Sequence, residues 1–192
     1  MGEGEDKQST PVDERKTSMG RTITVAAAVI FLLFLGYILI VLIGPSSGAS
    51  GPTAAVDSPA PDFKLSLLGG GELSLASLRG SPVVANFWGS WCDPCRAEAP
   101  ALESVWRKNK DKGVAFVGLA VEDTEPDAKA YIKEFNITYP NGLVDSSVMK
   151  AYRLTGVPET FLISRDGRLA RKFIGPIDEA HLQAALDELV KQ

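Results

Sequence analysis

One long run of apolar residues, Ile23–Ile43, stands near the start of the chain and contains no charged side chain. At a rise of about 1.5 Å per residue, a helix of this length spans the roughly 30 Å hydrocarbon core of a bilayer. A helix inside a soluble protein is rarely apolar on every face over such a length. The pattern therefore predicts one transmembrane helix over residues 22–44.

Positive charges lie on one side of this run. Arg15, Lys16 and Arg21 precede it, whereas the next cation after it is Lys64. The positive-inside rule then places the N-terminus in the cytoplasm and everything after the helix outside. A cleaved signal peptide is the alternative, but its apolar core runs only about 7–15 residues. We therefore expect an uncleaved signal anchor in a bacterial-type cell membrane.

The rest of the chain divides into two polar segments and one longer mixed segment. Residues 1–21 carry charges of both signs and little to bury, which predicts a disordered cytoplasmic tail. Residues 45–60 are rich in Gly, Ser, Pro and Ala and indicate a flexible linker. Residues 61–192 are long enough for one compact domain outside the membrane.

Within this domain, short apolar runs alternate with amphipathic stretches. The predicted strands are Phe63–Leu68, Glu72–Leu75, Pro82–Trp88, Val114–Val121, Thr160–Ile163 and Leu169–Ile174. The predicted helices are Pro94–Lys110, a stretch from Thr124 to Phe135, Ser146–Tyr152 and Asp178–Val190. This order predicts an α/β fold, in which helices flank a central mixed β-sheet and a β-hairpin forms an N-terminal extension.

Charge and composition exclude several functions. The formal net charge is −4, and the charges are scattered, so nothing favours binding to nucleic acid. The chain has two cysteines and a single histidine, His181, which is too few for a four-ligand zinc site. We therefore expect neither a bound metal nor a cofactor.

The two cysteines lie together in the sequence Trp91-Cys92-Asp93-Pro94-Cys95. A pair this close can form and open a disulfide without moving the fold, which indicates thiol–disulfide exchange. The preceding strand and following helix place Cys92 against free N–H groups that stabilise a thiolate. Pro94 suits the first helical turn, and Cys95, one turn into the helix, should be more buried.

Two neighbours of Cys92 have candidate roles. A carboxylate at Asp93 should disfavour the thiolate, raise the pKa of Cys92 and keep the disulfide form comparatively stable, so that the reduced protein donates electrons readily. The alternative is that Asp93 is only a solvated turn residue. Trp91 is expected to contact the substrate.

Two motifs carry a family resemblance. The sequence N-F-W-G-S-W-C-D-P-C-R-A-E at residues 86–98 precedes G-V-P-E-T-F-L-I at residues 156–163, and A-P-D-F stands at residues 60–63. Together they resemble the thioredoxin superfamily, and within it the membrane-anchored TlpA/ResA/CcmG (DsbE) group of thiol–disulfide oxidoreductases. The resemblance covers residues 61–192 and implies a thioredoxin-like fold.

The resemblance also implies roles for individual residues. Cys92 would attack a substrate disulfide, and Cys95 would resolve the mixed disulfide. The Val157–Pro158 bond would be cis and would expose the backbone of Val157 to an extended substrate. Many thioredoxins place an aspartate at the position of Asn86, so another acid would have to accept the proton of Cys95.

Three carboxylates are candidates for that acid, namely Glu122, Asp123 and Glu159. Each of them could equally be an ordinary surface carboxylate. The resemblance further implies protein thiol or disulfide substrates, such as the haem-binding cysteines of apocytochrome c in cytochrome c maturation. It also implies a membrane electron donor of the DsbD or CcdA kind.

Two other functions stay open. Peroxiredoxins share the Ala-Pro-Asp-Phe entrance and would make the chain a thiol-dependent peroxidase, but they need a threonine where this chain has Gly89. A non-catalytic assembly or binding module with a structural disulfide is the other alternative. A bridge between Cys92 and Cys95 closes so short a loop that it constrains the unfolded chain little, which argues against a stapling role.

Overall fold

The computed structural model describes residues 30–35 and 57–191. Residues 30–35 are helical. The rest of the predicted membrane helix, the predicted tail and most of the predicted linker lie outside the described residues. Across the two described ranges, no helix is both long and apolar enough to cross a bilayer.

The last residues of the predicted linker belong to the folded domain. The Asp57 N–H donates to the carbonyl of Leu169 at 2.8 Å, and the Ala60 N–H donates to the carbonyl of Gly167 at 2.9 Å. Because of these backbone hydrogen bonds, the folded domain includes residues 57–60.

The domain consists of a two-stranded hairpin, a five-stranded mixed sheet and helices on both of its faces. The strands are β1 Lys64–Ser66, β2 Glu72–Ser74, β3 Val83–Trp88, β4 Ala115–Val121, β5 Asn141–Val144, β6 Glu159–Ile163 and β7 Leu169–Ile174. The α-helices are α1 Asp93–Asn109, α2 Glu125–Glu134, α3 Ser146–Ala151 and α4 Glu179–Val190, and 3₁₀ turns cover Leu75–Leu78 and Lys110–Lys112.

The strand order of the sheet is β5-β4-β3-β6-β7. Strands β3, β4 and β5 are parallel, whereas β6 and β7 are antiparallel to their neighbours. Strand β3 is the central strand of the sheet and is fully buried. The residues that follow it therefore lie at the middle of the end of the sheet where β3 terminates. The predicted central mixed sheet with flanking helices and an N-terminal hairpin is confirmed.

Strand β5 was not predicted. The sequence Pro140-Asn141-Gly142 is typical of a turn, yet Asn141 pairs with Gly118 on β4 in parallel register. The carbonyl of Asn141 also accepts a hydrogen bond from the Leu68 N–H at 2.9 Å. Its side-chain oxygen accepts a bond from the Trp88 indole at 3.0 Å. These long-range contacts override the local turn preference.

The sheet separates two hydrophobic clusters. Val84 and Leu162 point towards the cluster that contains α1 and α4. Their chain neighbours Ala85 and Phe161 point towards the other cluster, beneath α3 and the N-terminal hairpin. Because side chains alternate along a strand, a single step in sequence decides which cluster a residue joins.

Candidate active site

Cys92 lies where the chain leaves β3 and enters α1, and it is the N-cap residue of that helix. Its backbone is extended (φ −96°, ψ 106°), and its Sγ accepts a hydrogen bond from the Cys95 N–H at 3.2 Å. In the reduced protein this N–H and the helix N-terminus would stabilise a thiolate at the same place. The side-chain atom that caps the N-terminus of α1 is therefore the sulfur of Cys92.

The two sulfur atoms form a disulfide, and the Cα atoms of Cys92 and Cys95 are 5.2 Å apart. Cys92 keeps 5% of its surface exposed, whereas Cys95 keeps none. An incoming substrate can therefore reach Cys92 more readily than Cys95.

The loop before β6 faces this disulfide. The Val157–Pro158 peptide bond is cis, as the resemblance implies. The carbonyl oxygen of Val157 lies 3.6 Å from Sγ of Cys92. Backbone groups of this loop are thus placed beside the sulfur that a substrate would meet.

Trp91 is the large exposed side chain beside the disulfide, with 56% of its surface accessible. Its indole N–H points towards the carbonyls of Val121 and Glu122, at 3.3 and 3.2 Å. A cavity of about 180 Å³ lies beside it, also lined by Met149 and Val157. Trp91 is therefore fixed at one edge while its ring faces an apolar recess, which suits the predicted contact with a substrate.

The two residues between the cysteines are exposed. Asp93 occupies the first position of α1 and Pro94 follows it, as expected for the first helical turn. A negative side chain at this position also faces the positive end of the helix.

Glu98 is the acid that the sequence analysis missed. It lies one turn beyond Cys95 on the same face of α1, and only 2% of its surface is exposed. Its Oε1 accepts a hydrogen bond from Nδ2 of Asn86 at 2.8 Å, and its Oε2 accepts one from the Ile177 N–H at 3.0 Å. Burial raises the pKa of Glu98 to about 7, although both N–H donors oppose this shift.

A group with a pKa near neutral can both accept and release a proton under ordinary conditions. Asn86 orients Glu98, because Nδ2 of Asn86 also donates to Oγ1 of Thr160 at 3.0 Å. The departure from aspartate at Asn86 was visible in the sequence. It could have directed attention to a glutamate placed one turn after Cys95.

The structure gives two of the three predicted acids other partners and leaves the third exposed. The carboxylate of Asp123 accepts bonds from the N–H and the hydroxyl of Ser90, at 2.6 and 2.9 Å, so it holds the turn before Cys92. Glu122 is exposed, with a positive φ of 48°.

Glu159 is fully buried, but on the other side of the sheet. Asn86 pairs with Thr160 in register, and both side chains lie on the face that carries Glu98. Because neighbouring residues of a strand point to opposite faces, Glu159 points away from that face. Of these buried acids, Glu98 is therefore the one on the helix that carries Cys95, one turn beyond it.

Tyr131 fixes the residue that carries the buried sulfur. Its hydroxyl donates to the carbonyl of Cys95 at 2.8 Å, and its ring stacks on Trp88 with centroids 4.2 Å apart. Burial raises the pKa of Tyr131, so the hydroxyl remains a donor at neutral pH. Trp88 is buried in the core, as expected for the end of a central strand.

In the described parts of the chain, no group of three or more His, Cys, Asp or Glu side chains is arranged to hold a metal ion. His181 lies at the exposed start of α4, where its Nδ1 is 2.6 Å from Oδ2 of Asp178.

Comparisons with known proteins agree with this geometry. The model of the AhpC/TSA family matches residues 56–172. A thiol-disulfide oxidoreductase ResA of Bacillus cereus is 31% identical over 135 residues, covering 70% of this chain and 78% of the relative. A ResA from a second strain of Bacillus cereus is 29% identical over 170 residues, covering 82% of this chain and 96% of the relative.

A solved structure is also similar over the whole domain. The thiol:disulfide interchange protein of Chlorobium tepidum, a thioredoxin family protein, is 31% identical with a TM-score of 0.66. The match covers 71% of this chain and 98% of that protein. The chain thus belongs to the AhpC/TSA family of thioredoxin-like proteins, and it is a thiol–disulfide oxidoreductase of the ResA type with Cys92 and Cys95 as its cysteine pair.

Proposed function

We propose that this protein is a membrane-anchored reductase of protein disulfides outside the cytoplasm. The observation that carries the proposal is the asymmetry of the cysteine pair. Cys92 is the accessible sulfur beside the Val157 carbonyl, whereas Cys95 is buried one turn from Glu98. An attacking and a resolving thiol need these two different environments.

The reaction begins from the reduced pair. The Cys92 thiolate attacks one sulfur of a substrate disulfide, the substrate S–S bond breaks, and the departing thiolate takes up a proton. Cys95 then gives its proton to the Glu98 carboxylate and attacks Sγ of Cys92. The second substrate thiol leaves, and the Cys92–Cys95 disulfide forms. Two electrons pass to the substrate, so the protein must be reduced again by a thiol donor.

The membrane location rests on the apolar run and the charges that flank it. Outside the cytoplasm thiols are normally oxidised, so a reductase there needs electrons from across the membrane. Labelling Cys92 in intact cells with a membrane-impermeant maleimide tests this location.

One substrate and one kind of electron donor suit this setting. An exported apocytochrome c must hold its haem-binding cysteines as thiols, and a reductase of the ResA type would suit that task. A membrane thiol-transfer protein of the DsbD or CcdA kind would return the electrons.

Asp93→Asn should raise the reduction potential of the pair. The carboxylate of Asp93 adjoins Cys92 and opposes a second negative charge, so its removal should stabilise the thiolate and with it the reduced form. Equilibration of the wild type and the variant against glutathione measures both potentials. Asp111→Asn is the matched control, because it makes the same substitution at an exposed residue of the 3₁₀ turn beyond the far end of α1. An unchanged or lower potential in Asp93→Asn would argue against a reducing role for this residue.

A further inference from the structure

A buried ion pair lies behind the cis-proline loop. Glu159 directly follows Pro158, and its side chain is fully buried. Nζ of Lys172 lies 2.8 Å from Oε2 of Glu159, and the Lys172 side chain is only 6% exposed. Among the described residues Oε2 has no well-aligned hydrogen bond, so Lys172 compensates its charge through proximity.

The sheet register explains how the two side chains meet. Lys172 on β7 pairs directly with Phe161 on β6, and Glu159 lies two residues before Phe161 on the same face. This diagonal spacing is within reach of a long side chain. Nζ of Lys172 also lies 5.1 Å from the centre of the Phe161 ring, a distance at which a cation is attracted to the ring.

The same pair also holds the first half of the loop, at Arg153 and Thr155. Oε1 of Glu159 accepts hydrogen bonds from the N–H and the hydroxyl of Thr155, at 2.9 and 2.5 Å. Nζ of Lys172 donates to the carbonyl of Arg153 at 3.4 Å. Between these anchor points and Pro158 lies Val157, whose carbonyl faces Cys92.

A buried ion pair is a poor way to stabilise a fold, because removing two charges from water costs about as much as their attraction returns. Apolar side chains of similar size would fill the space as well. What the ion pair adds is a set of specific polar contacts, because Oε1 of Glu159 binds Thr155 and Nζ of Lys172 binds the carbonyl of Arg153. Neither residue touches a sulfur atom in the structure.

We propose that Lys172 and Glu159 form a clamp that positions residues 153–158, so that the backbone of Val157 can pair with an extended substrate beside Cys92. Lys172 and Glu159 are positioning residues in this scheme. The inference rests on the proposed function at one point, the pairing of the substrate backbone with Val157.

The test compares two oxidants of the reduced full-length protein. One is a linear peptide that carries a glutathione mixed disulfide on its central cysteine, and the other is hydroxyethyl disulfide, which has no peptide backbone. In Lys172→Met the rate constant with the peptide should fall roughly 10-fold or more, because a misplaced loop loses its alignment with the substrate. The rate constant with hydroxyethyl disulfide should change less than about two-fold.

Two further variants complete the design. The double variant Lys172→Met with Glu159→Gln leaves no buried charge, so it should still fold. Like Lys172→Met, it should lose its preference for the peptide over hydroxyethyl disulfide. Arg171→Met is the matched control, because Arg171 is the preceding residue on β7 and forms an exposed ion pair with Glu188. It should react as the wild type does.

The ratio of the two rate constants decides between the outcomes. A wild-type ratio in both Lys172 variants overturns the clamp, and so does an equal fall of both rate constants, which indicates a purely structural role. If the wild type itself does not prefer the peptide, the pairing at Val157 fails, and the clamp fails with it.

Discussion

Cys95→Ser should lower steady-state disulfide reduction by roughly 10³-fold or more, while the first attack by Cys92 keeps close to its wild-type rate. The variant can form the mixed disulfide but has no second thiol to resolve it. One substrate thiol should therefore be released per protein molecule in a rapid burst, followed by almost no turnover. Rapid-quench measurement with a peptide disulfide separates the burst from the steady state.

Cys92→Ser is the control for this experiment. It should lose both the burst and the turnover, because Cys95 is buried and has no direct access to the substrate. A burst of wild-type size in Cys92→Ser would reverse the assigned roles of the two sulfur atoms. It would also remove the reason for placing the resolving acid near Cys95.

Glu98→Gln should slow the resolution step by roughly 10²-fold at about pH 7.5 and remove its pH dependence near neutrality. The pKa of Glu98 is about 7 in the disulfide form. Above this pH the wild-type carboxylate can accept the proton of Cys95, whereas below it the carboxyl group is already protonated. The wild-type rate should therefore rise with pH through about 7. Release of the second substrate thiol, followed from about pH 5.5 to 9, measures this step.

The same group should make stability depend on pH. Burial raises the pKa of Glu98 from 4.5 to about 7, so the folded state binds a proton more tightly than the unfolded state. Its stabilising contribution is complete below about pH 4.5 and is lost as the pH rises through 7, by about 3 kcal/mol. The free energy of unfolding of the wild type should fall relative to that of Glu98→Gln over this range.

Glu103→Gln provides the matched control for both measurements. Glu103 is another buried acid of α1, but its carboxylate accepts bonds from the N–H and the hydroxyl of Thr138 and pairs with Arg107. This variant should retain the rise of the resolution rate near neutral pH. If Glu98→Gln also retains that rise at wild-type amplitude, Glu98 is not the proton acceptor.

The strand and helix that position the cysteines could be predicted from the sequence, because the patterns that indicate them are local. Val83–Trp88 is apolar at every position except Asn86, and Pro94 marks the first turn of the helix after it. Strand β5 carries the opposite local signal, since Pro140-Asn141-Gly142 is typical of a turn. Only its pairing with β4 makes it a strand.

The buried polar groups of the site were harder to predict from the sequence. Glu98 is held by Asn86 from β3 and by the N–H of Ile177, which lies far along the chain. A glutamate in an amphipathic helix ordinarily faces water. The residues that flank Glu98 in the sequence therefore do not indicate that it is buried. Lys172 is a similar case, because its partner Glu159 lies on the neighbouring strand. Such pairs appear only once the register of the sheet is known.

Labelling of the two cysteines in intact cells tests the central claim most directly. Cells that produce the full-length protein in its reduced state are treated briefly with a membrane-impermeant maleimide, and each cysteine is then quantified by mass spectrometry. The account predicts that Cys92 is labelled in intact cells as fast as after lysis, while Cys95 remains unlabelled until the protein unfolds. Labelling of Cys92 only after lysis would contradict the proposed location. Labelling of Cys95 ahead of Cys92 would contradict the proposed order of attack and resolution.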